Sequence, residues 1–330
     1  MRYSEAMARC WPALALLLAA CGGGAEAPAG DALGSFADSV EIPAGTTRTI
    51  ARGARLTAGK GATLTVRGRL VVTGGGNARI GPAVAGDTWG GLIVASGGAL
   101  DVEGLDLQDA DTALSVETGA TGASFAGGTI TRALHPFDVA RGATLELRGA
   151  TVLEAKDSSG VSGTLEASRL DYQKSGAAGG VIMKDGGAIF DVADSTFRGT
   201  EDAGGDYIIS YGAQLVRVAY STITGAHCAF HFNDVARFEI DHVTSGTEVS
   251  TVPGDQIAWG AMLYGSGAGP NVIKDSNFFG VDLDLEQLGT NGPLTITNTF
   301  TTGKNAPAEN GWTWAAADVA TAPIPDARPR

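Results

Sequence analysis

Apolar residues in this chain come in short alternating groups. A pair two positions apart, with a third five positions on, recurs at Leu64, Val66 and Val71; Leu100, Val102 and Leu107; Leu145, Leu147 and Val152; Phe190, Val192 and Phe197; and Val216, Val218 and Ile223. Looser copies pass through Phe125 with Ile130, Leu165 with Tyr172, Phe238 with Ile240, Ile273 with Phe278, and Leu294 with Ile296. The second member of the pair repeats mostly every 20 to 26 residues. Longer steps from Val66 to Val102 and from Ile240 to Ile273 predict insertions. Further pairs lie ten and eight positions before it, at Leu92 with Val94, Phe137 with Val139, and Phe230 with Phe232. Alternation with period two predicts strands, and Gly-rich segments such as Ser96-Gly97-Gly98 predict the turns between them.

Short strands that recur every twenty-odd residues, with no helical stretch between them, bury an apolar face only by stacking coil on coil. Each backbone N–H and C=O then pairs with the coil about 4.8 Å above or below. The expected fold is all-β, a single solenoid of roughly ten coils and about 50 Å in length. Its domain covers residues 40–305. Residues 40–50 are expected to cover the first coil, and Trp312 and Trp314, within a cap and tail at 306–330, the last.

The repeat length and the third-strand pattern Ser195-Thr196-Phe197-Arg198-Gly199 and Ser221-Thr222-Ile223-Thr224-Gly225 resemble the right-handed parallel β-helix of the pectin-lyase-like superfamily. Gly61-Ala62-Thr63-Leu64-Thr65-Val66-Arg67-Gly68, followed by Trp89-Gly90-Gly91-Leu92-Ile93, is similar to bacterial cell-surface members of that group. The resemblance implies the fold and leaves activity open, because solenoids host unrelated functions. The Asn-Thr-Asp, Asp-Asp, Gly-His-Gly and Arg-Ile-Lys signatures of polygalacturonase-like members are missing. Gly225-Ala226-His227 is a poor echo of the third.

Composition agrees with many turns: 49 of 330 residues are Gly and only 18% are charged. The net charge of −13 repels phosphate backbones and anionic lipid headgroups, which argues against nucleic-acid binding and electrostatic membrane docking. Polyanionic sugars are disfavoured unless cations bridge them. Of the three cysteines, Cys10 and Cys21 lie in the first twenty-one residues and only Cys228 in the body of the chain, so no disulfide framework is expected.

The first twenty residues have their own pattern. Arg2 and Arg9 precede an apolar run of ten, Trp11 to Ala20, and then Cys21. Ten residues are too few to cross a bilayer, where about 20 are needed, but suit the core of a signal peptide. Leu18-Ala19-Ala20-Cys21 resembles the lipobox of bacterial lipoproteins. The resemblance implies a signal peptide at 1–20, acylation of Cys21 and anchoring in a bilayer. Gly22 after the cysteine favours the outer membrane. Residues 21–39 form a Gly/Ala/Pro tether.

In a strand, residues at odd offsets from inward anchors face solvent. Nine positions before the anchor come Ile93, Asp138, Met183, Ile209, His231 and Tyr264; seven before come Asp185, Tyr211 and Asn233; eleven before comes Tyr207. Asp185, Tyr207, Tyr211, His231, Asn233 and Tyr264 thus form a candidate binding face, with tyrosine rings for stacking and Asn, His and Asp for hydrogen bonds. Lys184 and Ser210 land on nominally inward positions, where a slip of one residue exchanges the faces. Asp185, with Asp206 and Asp234, is a candidate for carboxylate catalysis. Glu201, Asp202 and Asp206 form an acidic loop that offers calcium ligands. His227 and His231 lie about 13 Å apart along a strand, too far for one small ion, so no metal site is expected there.

Three functional readings follow. The first is an anchored envelope lipoprotein whose rod is a binding scaffold for a polysaccharide or a cell-surface protein. The second is a polysaccharide lyase or glycoside hydrolase. The third is an accessory of envelope assembly or transport. No cofactor is expected.

Overall fold

The structure is a computed structural model. It describes residues 32–72, 77–175, 180–199, 205–247, 259–264, 269–279, 283–287 and 292–301. Cys21, the tether up to residue 31, Glu201, Asp202, Trp312, Trp314 and the 306–330 tail lie outside the described residues.

Every described strand pairs in parallel, and the strands fall into three sheets of eleven. The first sheet opens with Val40–Ile42, the second with Thr47–Ile50 and the third with Arg55–Ala58. Each later coil adds one strand to each sheet, winding in the right-handed sense. The interior is filled by alternate residues: in Thr144–Arg148, Leu145 and Leu147 are fully buried between outward Thr144, Glu146 and Arg148. Leu100, Ala123, Leu145, Leu165, Phe190, Val216 and Phe238 stack in register as one inward row. Burying each large member of that row is worth about 2 to 3 kcal/mol, which pins the register, because a one-residue slip turns the whole row to water.

The second sheet passes to the third through a tight turn whose first residue is left-handed on nine successive coils: Gly104, Gly127, Gly149, Arg169, Asp194, Tyr220, His242, Asp275 and Asn298. The N–H of each of the first eight donates to a carbonyl on the following coil, as from Arg169 to Ala193 at 3.1 Å and from Tyr220 to Asp241 at 2.9 Å. The corner is therefore hydrogen-bonded along the rod.

The repeat frame read from sequence needs three corrections. Leu64 and Val66 belong to the first sheet, and the second-sheet residues of their coil are Leu70 and Val72, with Leu70 paired to Leu100. Much of the long step after Val66 is thus a shift of one strand. Residues 40–50 are two full strands of the first coil, and the segment ahead of them bridges to it through Ala32 with Thr49 and Phe36 with Ala58. Finally, the first-sheet outward column runs Ile93, Ser115, Asp138, Gly160, Ile182, Ile209, His231 and Met262. Met183 and Tyr264 are out of it, because the turns after their strands are one and two residues longer than the standard coil.

Candidate functional site

The outer face of the first sheet holds two polar features. On the N-terminal side is a groove of about 370 Å³, lined by Thr112, Ser115, His135, Asp138, Gly160 and Lys184 among others. Lys184 points outward, contrary to its nominal inward place, and its Nζ lies 2.8 Å from Asp138 Oδ1. The bridge skips a coil by passing over Gly160, where a Cβ would sit 2.2 Å from Lys184 Nζ and 2.3 Å from Asp138 Oδ1. Only a residue without a side chain permits this ion pair. His135 Nδ1 is 2.9 Å from the Ser158 carbonyl. A carbonyl only accepts, so the neutral ring carries its proton on Nδ1 and leaves Nε2 as an acceptor.

On the C-terminal side, Asp206 opens the strand Asp206–Ala213 and pairs with Cys228 of the next coil. Its Oδ1 is 3.3 Å from His227 Nδ1, and its Oδ2 is hydrogen-bonded to His231 Nδ1. Burial pushes the Asp206 carboxyl up, but the hydrogen bonds from His227 and His231 outweigh it and hold the group at about 2. Lys174 Nζ, in the core beneath, contacts the Asp206 carbonyl at 3.3 Å. Burial lowers that ammonium to about 8, against an opposing pull from Asp206. The His231 ring lies 5.5 Å from the Tyr264 ring, and the Tyr264 N–H donates to Phe232 O at 2.7 Å.

The structure thus brings together part of the expected face. His231, 21% exposed, and Tyr264 meet beside Asp206. Tyr211, 53% exposed, stands on the same sheet, aligned through a bulge with Asp234 rather than with Asn233. Asn233 is half-buried and Asp234 exposed. Tyr207 does not belong to an exposed face: it is fully buried, with its ring 6.1 Å from Phe197 and Lys174 Nζ 4.9 Å above it. Gly180 on the preceding coil makes this room, since a Cβ there would lie 2.7 Å from the Tyr207 ring. Asp185 sits in a turn, not on the strand. It accepts from Gly187 N at 2.9 Å and pairs with Arg141 at 3.0 Å. The Gly187 amide, helped by Arg141, holds its carboxyl below the usual range. Ser210 is buried as its position required, with Oγ donating to Asp234 O at 2.7 Å.

His227 is the residue missed. The spacing of about 13 Å along one strand does not hold, because His227 sits in the bend between the strands Thr222–Ala226 and Cys228–Val235, and both imidazoles converge on opposite oxygens of one carboxylate from the coil before. Placing Asp206 in a loop hid this; counting one coil from Cys228 back to Asp206 would have shown it. The Asp206 carboxylate faces two imidazoles, not the second carboxylate that a two-acid hydrolysis needs. What the arrangement offers is an imidazole fixed in plane and tautomer beside an exposed aromatic ring.

No family model and no curated protein matches this chain.

Proposed function

We propose that this protein is a lipid-anchored envelope protein whose β-helix presents the outer face of its first sheet as a carbohydrate-binding platform. The observation that carries the reading is the groove beside Lys184 together with Tyr211, His231 and Tyr264 further along the same sheet. Sugars are recognised by aromatic faces that stack on the ring and by planar polar groups that bind hydroxyls, and this face offers both. The ion pair between Lys184 and Asp138 supplies a donor and an acceptor of opposite charge, which suits neutral, hydroxyl-rich chains. The anchor rests on the signal peptide and Cys21 pattern.

A glycan array probed with the purified protein tests the platform. Binding of neutral oligosaccharides that falls about tenfold in the Tyr211→Ala/Tyr264→Ala double variant, equal to about 1.4 kcal/mol, supports it. An inert array, or binding indifferent to these changes and to Lys184→Ala, sinks it. The anchor is tested separately: Cys21→Ser should move the protein from the membrane to the soluble fraction.

A second reading, a polysaccharide-active enzyme, is favoured by the bond between Asp206 and His231, which orients an imidazole as a general base. Its test is product release from a polysaccharide panel, lost in His231→Asn.

A further inference from the structure

Tyr220, His242, Asp275 and Asn298 hold one place on four successive coils, the first residue of the turn between the second and third sheets. Their φ angles lie between 46° and 53°, and their backbones are tied coil to coil, with Tyr220 N donating to Asp241 O at 2.9 Å, His242 N to Lys274 O at 3.1 Å, and Asp275 N to Thr297 O at 3.1 Å. Side chains on this column are therefore carried by a rigid base. We propose that Asp241, His242 and Asp275 form a binding site for one first-row divalent cation of the zinc type.

Three observations point the donors inward. His242 Nδ1 lies 2.6 Å from Asp241 Oδ1 and 3.9 Å from Asp275 Oδ2, and one donor atom from each residue falls within 4.8 Å of the others. The far oxygens are already engaged: Lys274 Nζ is 3.0 Å from Asp241 Oδ2, and Asn298 Nδ2 donates to Asp275 Oδ1 at 2.7 Å. Such outer partners orient ligating carboxylates. The imidazole plane is set by stacking on Tyr220, with centroids 4.7 Å apart. The near oxygens and Nδ1 are thus presented together by groups that do not compete for them.

Donor chemistry selects the ion. One imidazole nitrogen with two carboxylate oxygens suits zinc and its neighbours, whereas calcium and magnesium take oxygen shells. Bonds of 2.0 to 2.2 Å in a tetrahedron put donors about 3.3 Å apart. The 2.6 Å separation must open by about 0.7 Å and the 3.9 Å one close by about 0.6 Å. Charge agrees: Asp241, Asp275 and Glu239, with Lys274 3.9 Å from Glu239, sum to two negative charges that a dication neutralises. Binding displaces the proton on His242 Nδ1, which has no place between two oxygens and a metal. Three protein donors leave a fourth position for water. The ion would clip the coil of Phe238–Asp241 to that of Asn271–Lys274.

Zn2+ titration by calorimetry and the visible absorption of Co2+ test the proposal on the whole chain. The expected result is one ion per chain, lost in His242→Asn and Asp275→Asn. Asparagine tolerates the left-handed backbone at both positions, and retained circular dichroism in the variants shows that the coil survives. Hydrogen exchange should slow on Zn2+ addition in residues 238–247 and 271–279. No saturable binding in the wild type overturns the site. So does binding retained in His242→Asn but lost in His231→Asn, which would move the ion to the Asp206 cluster.

Discussion

Asp206 and Lys174 both titrate below their ordinary values, for opposite reasons: hydrogen bonds favour the charged form of the acid, and burial disfavours the charged form of the amine. The carboxyl of Asp206 is held at about 2, below the ordinary 3.8. A depressed acid contributes stability that is complete above its unfolded value and is lost as pH falls through its folded value. The stabilisation, on the order of 2 kcal/mol, should therefore fade between about pH 4 and pH 2. Denaturant unfolding of Asp206→Asn against wild type should show a gap at pH 6 that narrows by pH 3. In Lys174 burial favours the neutral amine, so the unfolded chain again binds the extra proton, here between about 8 and 10.5. Wild-type stability should rise from pH 8 to about 10, until ionisation of Tyr172 and Tyr207 in the unfolded chain opposes it, since burial raises both in the fold. Lys174→Met fills the same space without a charge and should stabilise the protein at pH 7, by up to about 3 kcal/mol. A variant less stable than wild type at pH 7 would show that the contacts with the Asp206 carbonyl and the Tyr207 ring outweigh the desolvation.

At the scale of elements, the turn between second and third sheets shows why the Ser-Thr pattern recurs. Ser195 Oγ accepts the Leu170 N–H at 3.0 Å and donates to Ala193 O at 2.7 Å; Ser221 Oγ does the same with Ser195 N at 3.1 Å and Ala219 O at 2.7 Å. Ser276 repeats the motif with Val243 N and Lys274 O. Each hydroxyl closes its own turn and satisfies a backbone N–H of the coil before, in a buried position where an orphaned donor costs about 1 to 3 kcal/mol. Ser221→Ala should lower the denaturation free energy by that amount. An unchanged midpoint would mean that water replaces the hydroxyl. The motif was legible as a string; its reason was not, because the N–H it serves is one coil away.

The β-helix is close to one-dimensional, since each coil touches mainly its neighbours. Stability is then a sum of coil and interface contributions, and interior coils, covered on both sides, open less often than terminal ones. Hydrogen exchange should be slowest near the strands His135–Val139, Ser159–Val161 and Thr164–Ser168 and fastest toward the coils of Val40–Ile42 and Leu294–Thr297. Uniform protection along the rod would show instead that it unfolds as one cooperative unit.

The alternating apolar pairs by themselves determined the class of fold, most of the inward rows and, among the described residues, the absence of helix, because period-two burial admits no other way to stack such short strands. They also determined that Ser210 points inward and His231 outward. What only the tertiary structure decided is which outward residues meet. A turn longer by one residue moved Asp185 off the strand and Lys184 out to Asp138, and a glycine on the coil before let Tyr207 sink into the core. The two imidazoles on Asp206, and His242 beside Asp275, are contacts between residues 21 to 33 positions apart. Their alignment depends on the length of every intervening turn, and the spacing of the apolar pairs gives mainly the total length of each coil, not how that length is divided among its turns.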